Sequence, residues 1–555
     1  MKIRSRLFAL GAFILFSVCA GSAQTRTDVY AITNARIVTV SGAPIEKGTV
    51  VVRDGLIEAV GANASVPPDA RVLDGAGLTV YPGFFDALTN LGLQAPQQQR
   101  PPGTGGQGGG AQQQQQTQAP SSNSNYPTGL QPEVSVFDQL RGGDAQFEPS
   151  RNAGFTTVLT VSRDGVFNGQ SAVINLAGDS VSDLVIKSPF AEHFTFRTIP
   201  GAYPVSLLGT FSAFRQMLLD AQRLQELQKT YAANPRGMKR PEIDKSLEAL
   251  YPVLSGAMPI VFNANTEREI VRALDLQKEF KLNAIIAGGQ EAWKVAPRLK
   301  DQNVAVLLSL NFPKRTAAAS PDADPEDMET LRFRAETPRG ASRLALAGVR
   351  FAFQTGGLTN LGDFFTNAAK TTENGLAPEA AIRAMTIAPA QIFGVDNRLG
   401  TIETGKIANL TVVRGDILGK EKTVTHVFVD GRLFEQKERP RTPAGTVTTG
   451  TTPALAAVGG NYNITVEIPG QSVTGTLALT QQGANLTGTI STQATGTAPI
   501  RDGKVTSDGF SFSATVDYSG SQIEINVNGK VNGNQISGTI DTPQGAIPFS
   551  GTKNP

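Results

Sequence analysis

The chain has 555 residues, 40% of them hydrophobic and 18% charged, with a formal net charge of +2. That length exceeds one ordinary domain, and the near-balanced charge excludes a broad basic surface for nucleic acid or anionic membrane. One cysteine and two histidines, His193 and His426, exclude a disulfide scaffold and a histidine-rich metal centre, since catalytic zinc needs about three protein ligands.

Residues 1–23 read as a secretory signal. Lys2, Arg4 and Arg6 precede the apolar run from Leu7 to Val18, and the small residues Ala20 to Ala23 offer a cleavage site. The run is too short to span a bilayer, and no later stretch is long enough for a transmembrane segment. Val18 is too large for the position before a lipidated Cys19. Cleavage after Ala23 removes Cys19 and takes the formal charge from +2 to −1. The expectation is an exported, cysteine-free protein, periplasmic or extracellular.

Residues 28–80 read as short strands, with Asp54-Gly55 as a hairpin turn between β-branched runs. Residues 396–436 have the same texture, and Asp430-Gly431 repeats the turn. Together they predict one composite β-sandwich built from both flanks of an insert. That insert, 81–395, alternates buried strands with amphipathic helices. The strands are Gly154 to Val161, Pro259 to Ala264, Val304 to Leu310 and Val349 to Thr355. Thr266 and Glu269 form a capping box before a helix with Ile270, Ala273, Leu274 and Leu276 on one side. Pro378 opens another helix, carrying Ile382 and Met385 inward. The rhythm is that of an α/β fold, a (β/α)8 barrel of the TIM type. Residues 95–128, rich in Gln, Gly and Pro, predict a disordered loop over the barrel's C-terminal rim. After a linker at 437–458, residues 459–555 show short alternating strands with Gly and Asn turns. They predict an all-β domain, an antiparallel barrel or sandwich of about eight strands.

Four segments carry a resemblance: Asp54-Gly-Leu-Ile-Glu-Ala-Val-Gly61, Tyr81-Pro-Gly-Phe-Phe-Asp86, Gly375 to Ala390 and Leu399 to Leu410. On these, residues 28–436 resemble the amidohydrolase superfamily, in its imidazolonepropionase-like and prolidase-like branch. The resemblance implies a barrel hydrolase of non-peptide C–N bonds, amide or cyclic amide, with a divalent metal such as Zn. Carried over by position, the ligands are replaced: Leu88 and Asn90 stand where the first strand has two histidines. Asn263 and Ala287 stand for two more, and Gly356 for the aspartate that activates water. A leucine cannot ligate a metal, and asparagine is a weak oxygen donor.

The expectation is therefore no metal or other cofactor, and an impaired or ligand-binding member of the family. A small molecule or peptide would bind at the barrel mouth, with a homo-oligomer left open and no nucleic-acid partner. The alternative is an active C–N hydrolase with a rebuilt or metal-independent site. Asp86, His193 and Lys187 are the candidate catalytic residues, and Asn90, Asn263, Gln354 and Thr355 the candidate ligand contacts. Gln170 and Ser171 are weaker pocket candidates. Trp293 reads as core, and His426 as a structural residue of the β-sandwich.

Overall fold

The computed structural model describes residues 29–93, 126–127, 129–199, 203–314, 326–358, 360–436 and, further on, 456–468, 471–492, 495–506, 509–518, 521–542 and 545–554. The signal segment, most of the 95–128 loop and most of the 437–458 linker lie outside them. Two compact units divide the chain, one ending near Arg439 and the other formed chiefly by Pro440–Pro555.

In the first unit the two flanks pair directly. Leu410–Gly415 runs antiparallel to Leu78–Pro82, placing both flanks in one eight-stranded sheet. Its core joins Tyr30, Ile32 and Val50 from one flank to Leu410, Val412 and Phe428 from the other. Asp54 and Asp430 both take positive φ, 51° and 52°, as the two Asp-Gly turns require. The turns abut, so closely that a Cβ on Gly431 would meet the Gly55 Cα at 2.7 Å.

The insert forms a barrel. Its parallel staves are Phe84–Thr89, Phe155–Thr160, Glu192–Thr195, Ile260–Ala264, Ala284–Gly288, Ala305–Ser309 and Phe351–Gln354. The last lies beside the first and closes the ring. Between the second and third staves runs an antiparallel ribbon, Phe167–Gln170 and Ala172–Asn175, paired to one neighbour by each half. The reason is length: only residues 161–166 separate Thr160 from Phe167. A parallel crossover needs roughly a dozen residues, so the chain must turn straight back.

Alternation along the staves sorts residues by face. Phe85, Leu159, Val173, Val261, Ile285, Leu307 and Ala352 form one interior cluster, sealed at the staves' N-terminal end by Ile387, Ala390 and Phe393. The opposite face, with Phe194, Phe262 and Phe353, packs against helices such as Leu207–Ala233 through Phe214. Gly83 is required by packing, because a Cβ there would lie 2.1 Å from the Thr156 hydroxyl. Asn409 ties the barrel to the sheet: its amide donates to Thr157 and Asn175, and its carbonyl oxygen accepts from the Asp430 N–H. Among the described residues no helix is long and apolar enough to cross a membrane.

The second unit is a closed antiparallel barrel of eight strands. It is duplicated internally. The pairings Thr465↔Thr474 and Leu477↔Ile490 recur with the same spacing as Thr515↔Glu524 and Val527↔Ile540. Leu486-Thr-Gly-Thr-Ile-Ser-Thr492 and Ile536-Ser-Gly-Thr-Ile-Asp-Thr542 show the repeat in sequence. Tyr462, Ile464, Leu477, Phe512 and Val527 are among the side chains that fill its interior.

Candidate functional site

In a barrel of this kind the chemistry belongs at the C-terminal ends of the staves. Two residues beyond the apolar interior layer, alternation brings His193, Asn263, Ala287, Ser309 and Gln354 onto the inner face. The floor is hydrocarbon. The layer above it is mostly polar.

Hydrogen bonds fix the orientation of these groups. The Asn168 Nδ2 donates to the backbone carbonyls of Asp164 at 2.9 Å and Gly165 at 3.4 Å. Carbonyls only accept, so Asn168 must present its Oδ1 to the mouth. The Thr195 hydroxyl donates to that oxygen at 2.6 Å and accepts from Asn263 Nδ2 at 2.9 Å. This relay does not use the Asn263 carbonyl oxygen, for which there is no hydrogen bond among the described residues. Gln354 is buried and donates to the Leu307 carbonyl at 2.6 Å, so its amide nitrogen is spent on the wall.

Asp86 closes the ring. Its carboxylate accepts the Thr355 N–H at 2.9 Å and the Thr355 hydroxyl at 2.7 Å, joining the first stave to the last. Burial pushes its pKa up to about 6, and the Thr355 donors, the Leu88 N–H and the Arg163 charge pull against that rise. Thr355 is likewise committed to the clasp. Immediately after it, Gly356 has φ +62°, and a Cβ there would lie 2.0 Å from the Ser309 hydroxyl. No side chain fits at 356 without moving Ser309.

His193 is fully buried. Ser171 spends its one proton on the Ala191 carbonyl at 3.1 Å, so His193 Nε2 donates to the Ser171 oxygen at 2.9 Å. The Nδ1 has no partner among the described residues, and burial lowers the ring's pKa to about 3. The next-door Glu192 is also fully buried, its pKa raised well above normal by burial and then by Glu133. The backbone N–H groups of His193 and Gly169 favour its charge, though neither makes a well-formed hydrogen bond to it.

Lys187 sits apart from this layer, on the short Val185–Lys187 strand, where its Nζ donates to the Phe393 carbonyl at 2.8 Å. Asn90 is exposed just past the first stave, and Leu88 packs against both hydrophobic clusters beside it. Gln170 is half-buried next to Ser171. Trp293 packs on the core with the Arg343 guanidinium 3.9 Å over its ring. His426 lies in the composite sheet, where its Nδ1 meets the Thr425 hydroxyl at 3.0 Å. Among the described residues, no three His, Cys, Asp or Glu side chains converge as a metal site would need. Asn168, Thr195, Arg163 and Arg197 are mouth residues that motif reading passes over. The signal that finds them is their place at the very ends of the strands.

Residues 329–434 match the sequence profile of the Amidohydrolase family. The chain is also similar in structure to a solved amidohydrolase from Thermotoga maritima, with 24% identity and a TM-score of 0.60, covering 73% of this chain and all of that one. The fold of the first unit is that of an amidohydrolase, and residues 329–434 carry the family's sequence pattern. A prolidase complexed with N-methylphosphonate-L-proline is similar at 17% identity and a TM-score of 0.45, over 74% of this chain and all of that one. A putative prolidase from Bifidobacterium longum matches at 18% and 0.42, over 74% of this chain and 95% of that one. No curated protein matches. The likeness is one of fold.

Proposed function

We propose that this is an exported amidohydrolase-fold protein whose barrel mouth binds a small molecule or peptide and has lost metal-dependent hydrolysis. The observation that carries the reading is Gly356. At the place where the resemblance expects a water-activating aspartate, the backbone is left-handed and Ser309 occupies the space of any Cβ.

The rest of the donor set agrees. Leu88 and Ala287 are hydrocarbon, Asn263 gives its amide hydrogen to Thr195, and Asp86 is held by Thr355. These residues do not fit a divalent metal centre. A metal hydrolase lowers the pKa of a bound water to about 7, and a positioned carboxylate moves its proton, which contributes about 10²–10⁴-fold. Among the described residues no cluster of metal ligands forms, and the one carboxylate in this layer, Asp86, is held by Thr355. What the mouth offers is a fixed array of amide and hydroxyl groups, suited to holding a ligand.

A metal-independent hydrolase is the weaker reading. Its nearest nucleophile and base are Ser171 and His193, sealed from solvent, with a ring whose low pKa makes it a poor base near neutral pH. The run from Lys2 to Ala23 supports export.

The test is elemental mass spectrometry on protein purified without chelators from zinc- and manganese-supplemented medium, followed by amidase and cyclic-amide assays. Substoichiometric metal and no metal-dependent turnover are expected. About one tightly held divalent ion per chain, with turnover that a chelator abolishes, would overturn the reading. The double variant Leu88→His, Asn90→His should stay inactive, because Asn263, Ala287 and Gly356 are unchanged.

A further inference from the structure

Two arginines at the mouth take no part in the network described above. Arg163 lies in the turn after the Phe155–Thr160 stave, and Arg197 lies two residues beyond the Glu192–Thr195 stave. They are in contact: Arg197 Nη1 donates to the Arg163 carbonyl at 2.8 Å. The Arg163 guanidinium reaches the end of the last stave, where a Cβ on Gly357 would lie 3.4 Å from its Nη1 and 3.8 Å from its Nη2. Its charge is also felt at Asp86 on the first stave. One guanidinium therefore extends over the rim from the second stave to the last, with a second cation tethered to its backbone.

Both side chains are exposed, and neither makes an ion pair among the described residues. The carboxylate nearest in sequence, Asp164, is within salt-bridge distance of neither. The contrast with the neighbouring rim is plain, because Lys314 there is paired with Asp363 at 3.3 Å. Two unneutralised cations thus lie on one stretch of rim, where an anionic group of a ligand would meet a charge of opposite sign. A guanidinium presents a planar fork of N–H donors matched to two oxygens of one group.

We propose that Arg163 and Arg197 form an oxyanion subsite at the barrel mouth, taking a carboxylate or phosphate group of the bound ligand. The inference rests on the ligand-binding reading above and narrows it to anionic ligands. Neutral amides and sugars would lack the anchoring contact.

The test titrates the full chain at low ionic strength with sodium succinate and, separately, inorganic phosphate, with neutral succinamide as control, by calorimetry. At least one anion should bind more tightly than succinamide, and the stronger of the two identifies the source of the oxyanion. Arg163→Gln and Arg197→Gln should each weaken that binding about tenfold, as for loss of a charge-assisted contact. Arg163→Lys, which keeps the charge and loses the fork, should fall between. Arg240→Gln, on a distant surface loop, should bind as the parent does. Matching thermal unfolding curves would show that the variants are folded, and Arg163→Lys provides the reading if Arg163→Gln is not. Anions binding no better than succinamide, or glutamine variants binding them unchanged, would overturn the subsite and leave the ligand-binding reading standing. Metal-dependent turnover with intact anion preference would do the reverse.

Discussion

The two ends of the barrel are built from the same staves and differ in what they can do. At the N-terminal end, Phe85, Val261, Ile285 and Leu307 pack against the plug of Ile387, Ala390 and Phe393. None of these side chains can donate or accept a proton. Two residues along each stave, the inner face changes to His193, Asn263, Ser309 and Gln354, and each of these is tied to a neighbour. A polar mouth is not by itself a reactive one. Where hydrogen bonds spend the donors on each other and burial suppresses the charges, the polar layer is a rigid frame, and reactivity or recognition falls to groups left unspent. Among the described residues these include the Asn263 carbonyl oxygen and the two rim arginines, and neither arginine makes an ion pair.

Substitutions separate floor from mouth. Phe393→Ala, which opens the plug beneath Phe85 and Phe190, should cost about 3–5 kcal/mol in denaturant unfolding. A loss no larger than that of a surface substitution would mean the floor is not the stabilising end. Gly356→Asp should cost about 2–4 kcal/mol, from a non-glycine left-handed residue and the contact with Ser309, and should recruit no metal. A folded variant that gains a bound ion would show that the mouth is closer to a metal site than its donors suggest.

The pH response sharpens the same contrast. The folded pKa of Asp86, about 6, lies above the ordinary value of 3.8, so the native state binds the extra proton. Its burial penalty is present at neutral pH and is relieved as pH falls from about 7 to about 4. Stability should rise over that window by up to about 3 kcal/mol from this group. Glu192 acts in the same direction, so the diagnostic quantity is the part of the rise that Asp86→Asn removes. No difference between parent and variant would place the Asp86 pKa near its ordinary value. Ser171→Ala leaves the His193 Nε2 hydrogen without an acceptor and should cost about 1–3 kcal/mol. Asn263→Ala, at a half-buried position, should cost about 1 kcal/mol or less and leave the floor untouched.

Much of the scaffold was legible because it is written in local chemistry. The apolar runs ending at Ala264 and Leu310 can only be buried strands, and Thr266 with Glu269 marks a helix start by reciprocal capping. The paired Asp-Gly turns announced two flanks of the same kind. The ribbon from Phe167 to Asn175 was harder, since its direction depends on the short link before it and on which neighbours accept it. The barrel duplication was readable in Leu486–Thr492 against Ile536–Thr542, and a self-comparison of the sequence finds it.

The candidate site divides the same way. That Leu88, Ala287 and Gly356 lack metal-binding groups needs no coordinates, because hydrocarbon and hydrogen cannot ligate. The sequence alone therefore determined the fold class and the chemical poverty of those positions. Only the tertiary structure could decide that Asp86 is a clasp to Thr355, or that His193 is sealed against Ser171. It also decided that Arg163 and Arg197 share one stretch of rim. The physical reason is that hydrogen bonding and burial depend on partners 22 to 269 residues away in the chain, and local sequence cannot specify those distances.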